Sequence, residues 1–199
     1  VFEDNKTKYE SLYKSKGFDN IAYDVSSLNK DANRVLGLFE GVVTEQDDPR
    51  GVPSLRDLTV FALDYLDNEE GFFLMVEGAK IDKKAHSNQA KLMLQELLAF
   101  DEAVEAAMEW ANNRNDTLMV VTADHETGGM YYNYNSSTQK TIIDDIKWLS
   151  TNHSRSRVDV AVYGDISEFT NMYSSSFATL EGLPYWDNTD IFKLCASYL

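Results

Sequence analysis

With 199 residues, of which 43% are hydrophobic and 12% aromatic, the chain is long enough to bury a sizeable core, which excludes a disordered protein. Its 33 acidic against 18 basic residues give a formal charge of −15 at pH 7, which argues against a nucleic-acid-binding surface because few cations could displace phosphate counterions. The single cysteine, Cys195, excludes a disulfide within the chain, and no apolar run is long enough for a membrane span.

Helix and strand patterns alternate through the first third of the chain. In chain order, the predicted elements are a helix over residues 5–16, a strand at 21–23, a helical turn capped by Ser26 or Ser27, a strand at 34–39 and a helix capped by Ser54. In the first helix Tyr9, Leu12 and Tyr13 share one face, and Gly17 occupies the usual stop position. This alternation is typical of an α/β protein.

An uninterrupted apolar run at residues 72–76 predicts a buried strand. The strand delivers the carboxylate of Glu77 at its end, and a Gly-Ala turn then leads to Asp82 and His86. Because residues four apart on a helix share one face, a helix that starts near Ile81 would place Asp82 and His86 within reach of a single cation. The pattern therefore predicts a buried strand that ends in a metal site.

A second stretch of the same design follows. The longest helical pattern covers residues 87–113. An apolar strand follows at 118–122, and Asp124 and His125 lie in the loop at its end. Ligands of parallel α/β sheets collect at the carboxyl ends of the strands. Two strand ends of this kind therefore suggest one shared site.

The remaining pattern is weaker. The predicted elements are a strand within 130–134, a turn at 135–138, a helix or strand within 142–149, a strand at 158–163 and a last helix capped by Asp187, Asn188 or Thr189. We expect one domain over residues 1–199. The repeated helix-then-strand order predicts a largely parallel sheet with helices on both faces.

The three histidines of the chain, His86, His125 and His153, all lie where a metal site would use them. Imidazole with carboxylate is a ligand set for zinc or a similar cation, and no nearby thiolate supports a structural zinc finger. A single histidine is explained as well by a hydrogen bond to a backbone carbonyl. Together with the strand-end carboxylates, the three favour a metal site.

The charged residues have structural alternatives. Asp82 also suits a helix cap, Glu77 an exposed position, and Asp124 a turn at the end of a strand. Lys83 and Lys84 suit a solvated face, although a lysine beside a metal site could neutralise a bound anion.

Three segments of the chain resemble alkaline phosphatases. Residues 76–86, Val-Glu-Gly-Ala-Lys-Ile-Asp-Lys-Lys-Ala-His, are similar to the metal-binding segment of that family, and residues 122–126, Thr-Ala-Asp-His-Glu, to its second one. A weaker similarity joins residues 151–164 to the late histidine loop of the family and the strand after it. The resemblance implies the three-layer α/β sandwich of alkaline phosphatases.

The resemblance also implies a ligand set. It assigns the first zinc to Asp82, His86 and His153, the second zinc to Asp124 and His125, a neighbouring magnesium to Glu77, and a water-mediated phosphate contact to Lys83. It implies hydrolysis of phosphate monoesters through a phosphoserine intermediate. It further implies a homodimer in an extracytoplasmic location, which is periplasmic, secreted or at the cell surface.

The chain departs from the family in one respect. The family's serine nucleophile, one shared aspartate, a magnesium-binding hydroxyl and a phosphate-binding arginine come from its amino-terminal half. No Asp-Ser-Ala segment is present, and none of Ser26, Ser54, Ser87 and Ser136 stands in a matching context. We therefore expect the carboxy-terminal half of an alkaline phosphatase, as a cleaved fragment, an incomplete chain or one piece of a nicked enzyme, whose partner is the missing amino-terminal half.

Two other interpretations remain open. One is a relative with the same two-metal scaffold, such as a phosphodiesterase, a sulfatase or a cofactor-independent phosphoglycerate mutase. The other is a catalytically incomplete metal-binding fragment or interaction module.

Overall fold

The computed structural model describes residues 6–39, 53–132, 142–173, 178–180 and 183–198 of the chain. These residues contain helices and short pairs of strands. The helices there are α1 (Lys6–Ser15), α2 (Leu55–Leu66), α3 (Ala79–His86), α4 (Ala90–Ala111), α5 (Ile142–Asp145), α6 (Ser167–Tyr173) and α7 (Asn188–Ser197). The strands are β1 (Asn20–Ala22), β2 (Val35–Gly37), β3 (Met119–Thr122), β4 (Glu126–Thr127), β5 (Tyr131–Tyr132), β6 (Ile146–Lys147), β7 (His153–Ser154), β8 (Val160–Tyr163), β9 (Ala178–Leu180) and β10 (Leu183–Tyr185).

The first third of the chain has the predicted order. Helix α1 is followed by β1 and β2, which pair in parallel. The helical turn between them is a 3₁₀ turn over Val25–Ser27, and its cap is Asp24, whose side chain accepts a hydrogen bond from the Ser27 amide at 2.9 Å. The prediction of Ser26 or Ser27 as the cap was wrong, because the capping side chain comes from the residue before the first helical one.

Helices α2 and α4 pack against each other and form the main helical contact of the described residues. Ser54 caps α2 as predicted and accepts a hydrogen bond from the Asp57 amide at 3.0 Å. The buried residues of the pair are Thr59 and Leu63 on α2 and Met93, Glu96, Ala103, Ala106 and Ala111 on α4. Small alanine side chains let the two helices approach closely, which explains why α4 carries several of them at its buried positions.

Residues 72–78 do not form the buried strand that their apolar run predicts. The segment is irregular and lies along α4, because Phe72 contacts Trp110 edge-on at 5.8 Å between ring centroids and a Cβ on Gly78 would meet Phe100 at 2.9 Å. On the other side Phe73 is 61% exposed and Met75 is 70% exposed. The prediction failed because no strand within the described ranges pairs with this segment or covers its outer face.

The strands form five pairs in the described residues, and only β1 with β2 is parallel. The antiparallel pairs are β3 with β8, β4 with β7, β5 with β6 and β9 with β10. The predicted strands at 118–122 and 158–163 are confirmed as β3 and β8. These pairs do not show the predicted largely parallel sheet with helices on both faces, since strand direction depends on partners that local patterns do not identify.

The last part of the chain settles two open predictions. The undecided segment 142–149 holds the short helix α5 followed directly by β6, and the predicted turn at 135–138 lies outside the described residues. Asp187 caps α7, accepting from the Thr189 amide at 3.0 Å, and Leu194 on this helix is fully buried. None of the helices in the described ranges combines the length and the apolar character that crossing a bilayer requires.

Candidate metal centre

Helix α3 presents the first two polar residues of the site. Asp82 lies in its first turn and His86 in its last, so the two side chains share one face, and Asp82 Oδ1 is 3.4 Å from His86 Nε2. Ala85, on the flank of the helix next to this face, is buried, and the helix packs against α4. The packing of α3 therefore holds Asp82 and His86 at the edge of the helical layer, where both remain partly exposed.

The two remaining histidines come from the neighbouring strands β4 and β7. Strand β4 begins directly after His125, and it pairs with β7 over only two residues, with Thr127 opposite His153. This pairing stacks the His125 and His153 rings at 3.5 Å between centroids. The turn after β4 passes through Gly128 at φ 89°, where a Cβ would meet the Trp148 ring at 2.5 Å, so a larger residue would strain the turn and displace Trp148.

Four side chains from these elements converge. Asp82 Oδ1 lies 3.3 Å from His153 Nε2, and His153 Nε2 lies 2.9 Å from His86 Nε2. Asp82, His125 and His153 each offer one ligand atom, and these atoms lie within 4.8 Å of one another. One cation placed among them would contact several ligands at once.

The hydrogen-bond network assigns the tautomers of two histidines. His86 Nδ1 lies 2.5 Å from the Thr151 carbonyl oxygen, which can only accept, so Nδ1 holds the proton. The Thr127 hydroxyl donates to Asp82 Oδ1 at 2.6 Å and therefore accepts from His125 Nδ1 at 3.2 Å. In the neutral imidazole, both His86 and His125 then carry their lone pair on Nε2, the form in which imidazole binds a metal.

This arrangement fits a cation. With Nδ1 protonated, the Nε2 lone pair of His86 faces Asp82 Oδ1 at 3.4 Å, and the Nε2 lone pair of His125 faces Asp124 Oδ2 at 3.2 Å. Such lone pairs repel each other unless a proton or a metal ion lies between them, so the neutral rings provide a place for a cation. Burial raises the pKa of Asp82, but the Thr127 hydrogen bond and the nearby histidines outweigh it and hold that pKa below the ordinary value, so Asp82 is ionised at neutral pH.

The other predicted site residues lie further out. Asp124 touches His125, but its side chain is 88% exposed. Glu77 is exposed at the end of the extended segment, and Lys83 is exposed on α3 beside Asp82. The structure thus brings Asp82, His125 and His153 into one three-residue ligand group, with His86 in contact with Asp82 and His153 beside it. Asp124 lies at the rim of this group, and Glu77 and Lys83 lie outside it.

Two residues that support the centre were not predicted from the sequence. Thr127 joins Asp82 to His125, and Glu126 accepts hydrogen bonds from the Gly129 amide at 2.7 Å and from the Ser154 hydroxyl. These bonds, the Ser154 bond first, hold the pKa of Glu126 below its ordinary value despite partial burial. Their position directly after His125 was the one available signal, because metal ligands are usually oriented by hydrogen-bonded neighbours.

Replacing Thr127 with valine is expected to lower zinc affinity about tenfold, as is typical for loss of a residue that orients metal ligands. Valine keeps the shape of threonine but removes the hydroxyl, so Asp82 and His125 both lose a partner. Competition against a chromophoric chelator measures the affinity in the full-length product of the gene that encodes these residues. Thr127→Ser keeps the hydroxyl and should bind as the unmodified protein does, whereas equal affinity of the valine variant would remove Thr127 from the site.

Comparison with known proteins identifies the family. The family model for alkaline phosphatase matches residues 10–177, so the chain belongs to the alkaline phosphatase family. Alkaline phosphatase 4 of Bacillus subtilis is 47% identical over 104 residues, which cover 51% of this chain and 22% of that protein. The predicted resemblance is thereby confirmed.

Solved structures give the α/β fold. The chain of Thermus thermophilus alkaline phosphatase is 20% identical with a TM-score of 0.70, and the match covers 96% of this chain and 57% of that one. A mutant of the TAB5 alkaline phosphatase with magnesium bound is 25% identical with a TM-score of 0.59, covering 78% of this chain and 48% of that one. The chain therefore spans about half the length of the structures it matches.

Proposed function

We propose that the full-length protein hydrolyses phosphate monoesters, and that this chain supplies most of the ligands for two zinc ions and one magnesium ion. The observation that carries the proposal is the convergence of Asp82, His125 and His153, whose ligand atoms lie within 4.8 Å of one another, with His86 Nε2 2.9 Å from His153 Nε2. Membership of the alkaline phosphatase family supports the reaction class.

The proposed ligand assignment follows the chemistry of the donors. Asp82, His86 and His153 would hold one zinc and Asp124 and His125 the other, since mixed imidazole and carboxylate ligands suit zinc. Glu77 would hold magnesium, which prefers oxygen ligands, and a related structure is described as having magnesium bound. Bound zinc would lower the pKa of an attacking hydroxyl or water and neutralise charge on the leaving oxygen.

The residues of this chain have distinct tasks in that reaction. Asp82 supplies the negative charge at the middle of the group, with Thr127 holding its orientation. The Thr151 carbonyl holds the His86 ring in the tautomer that can bind a metal. Lys83, exposed one residue from Asp82, would contact the phosphate through a water molecule.

The remaining parts of the site would come from polypeptide beyond these residues. We propose that an amino-terminal half carries the serine nucleophile and completes a three-layer sandwich around a largely parallel sheet. The proposal extends to a homodimer in an extracytoplasmic location, by analogy with the family. The proposed amino-terminal half is supported by the matched share of the relatives, since this chain covers 22% of the Bacillus subtilis protein.

The second candidate is a catalytically incomplete metal-binding module. The absence of a serine in the family's nucleophile context anywhere in the 199 residues favours it. The two candidates differ in one measurable property, because the module would bind metal without hydrolysing any ester.

The test uses the full-length gene product with three matched substrates, p-nitrophenyl phosphate, bis-p-nitrophenyl phosphate and p-nitrophenyl sulfate. We expect hydrolysis of the monoester to exceed the other two rates by on the order of a hundredfold or more, since binding energy is directed at one transition state. Treatment with EDTA should abolish the activity, and added zinc and magnesium should restore it. A preference for the diester or sulfate, or activity that survives EDTA, would contradict the proposal.

A further inference from the structure

We infer that Glu126 is a positioning residue that clamps β4 to β7 and so sets the distance between His125 and His153. This inference rests on the proposed metal-dependent function, because the two histidines matter only if they bind the same group of metal ions. Glu126 was not among the predicted ligands, and its side chain lies between the two strands rather than in the ligand group.

Both carboxylate oxygens of Glu126 are already engaged. Oε1 accepts hydrogen bonds from the Gly129 amide at 2.7 Å and the Met130 amide at 3.2 Å. Oε2 accepts from the Ser154 hydroxyl. Three donors on two oxygens make this a structural contact and distinguish Glu126 from Asp82, which keeps an oxygen directed at the histidines.

The Glu126–Ser154 contact reinforces a very short strand pair. Strands β4 and β7 share only two paired residues, Glu126 with Ser154 and Thr127 with His153. A two-residue pair has little register preference of its own, because register is otherwise set by longer alternating patterns. The Glu126–Ser154 bond adds a side-chain contact at that pair and fixes which residue lies opposite which.

The turn after β4 is shaped to supply the other donors. Gly128 and Gly129 both have positive φ, 89° and 58°, and this backbone folds back so that the Gly129 and Met130 amides reach the carboxylate. The Gly128 amide in turn donates to the Asn152 carbonyl at 2.9 Å, next to His153. Glu126 therefore connects the turn, β4 and β7, and each end of its bond to Ser154 is next to a histidine: His125 precedes Glu126, and His153 precedes Ser154.

Cobalt(II) replaces zinc in the test, because its visible absorption reports the geometry of the ligands. In the full-length gene product, Glu126→Ala should lower Co²⁺ affinity between 10-fold and 100-fold, roughly the range for lost ligand orientation, and should alter the absorption spectrum. Glu126→Gln should restore most of the affinity, because its amide oxygen still accepts from the turn and its amide nitrogen can donate to Ser154. Equal loss in both variants would make Glu126 a direct ligand and overturn the inference.

A metal-free measurement decides the inference independently. Hydrogen exchange at the Gly129 and Met130 amides should accelerate about tenfold in Glu126→Ala, as expected for loss of one hydrogen bond. Asp19→Ala is the matched control, since Asp19 likewise accepts from two backbone amides, those of Asn33 and Arg34 at 3.0 and 2.8 Å. The control should leave the Co²⁺ spectrum unchanged.

The outcomes separate the two proposals. If the unmodified protein binds no Co²⁺, the proposed function fails, and unchanged amide exchange in Glu126→Ala would then overturn the clamp as well. If the unmodified protein binds Co²⁺ and Glu126→Ala binds it equally with the same spectrum, the clamp alone is overturned.

Discussion

Replacing Asp82 with alanine should lower kcat/KM for p-nitrophenyl phosphate by on the order of a thousandfold in the full-length gene product, about 4 kcal/mol of transition-state stabilisation. Asp82 Oδ1 lies 3.4 Å from His86 Nε2 and 3.3 Å from His153 Nε2, so it supplies the negative charge between the two rings. Without it the two imidazole rings remain without a carboxylate between them, and the positive charge of a metal ion is no longer compensated.

Steady-state kinetics and the zinc content of the purified protein measure this effect. Asp82→Asn retains the size of the side chain and should lose nearly as much activity, because the charge is missing. Asp64→Ala is the control: Asp64 is an exposed carboxylate paired with Lys30 at 2.5 Å on α2, and its removal should change kcat/KM less than about twofold. An Asp82→Ala protein that keeps its zinc and its rate would exclude Asp82 from the metal site.

The 199 residues by themselves are expected to hydrolyse p-nitrophenyl phosphate at no measurable rate. The described residues bring together a metal-binding group, but the chain has no serine in the family's nucleophile context. Orienting metal ions alone does not replace a nucleophile held within reach of the phosphorus. Zinc binding should also be weak, since Asp124 is 88% exposed and offers little constraint on a second ion.

The comparison needs both proteins in the same assay. The full-length gene product should turn over the monoester, and the 199-residue chain, verified by an intact mass of 22.6 kDa, should not. Adding the separately produced amino-terminal polypeptide to the chain should restore part of the activity. Robust turnover by the homogeneous chain alone would show that its own residues supply the nucleophile.

Local patterns predicted the elements of the site better than their assembly. The i, i+4 spacing of Asp82 and His86 identified one face of α3, because helical geometry is set within a few residues. The position of His153 beside them depends on the two-residue pairing of β4 with β7, across the 25 residues that lie between Thr127 and His153. No local pattern specifies a contact of that kind. The sequence therefore predicted which residues belong to the site but not how they are arranged in space.

Burial was the least predictable property. Residues 72–76 have the composition of a buried strand, yet Phe73 and Met75 are largely exposed. An apolar run does not identify the neighbouring element that would have to bury it. Thr127 and Glu126 were missed for the opposite reason: polar residues after a strand suit any turn, and their role appears only when Asp82 and Ser154 are found beside them.

The exposed outer face of residues 72–76 has a consequence for handling the protein outside its normal context. An extended apolar segment with no strand paired to it in the described part of the chain offers its backbone to the same segment of another molecule. Phe73 and Met75 would then stack between chains in a repeating array. Concentrated solutions of the 199 residues are therefore prone to ordered self-association, and charged substitutions at those two positions should delay it.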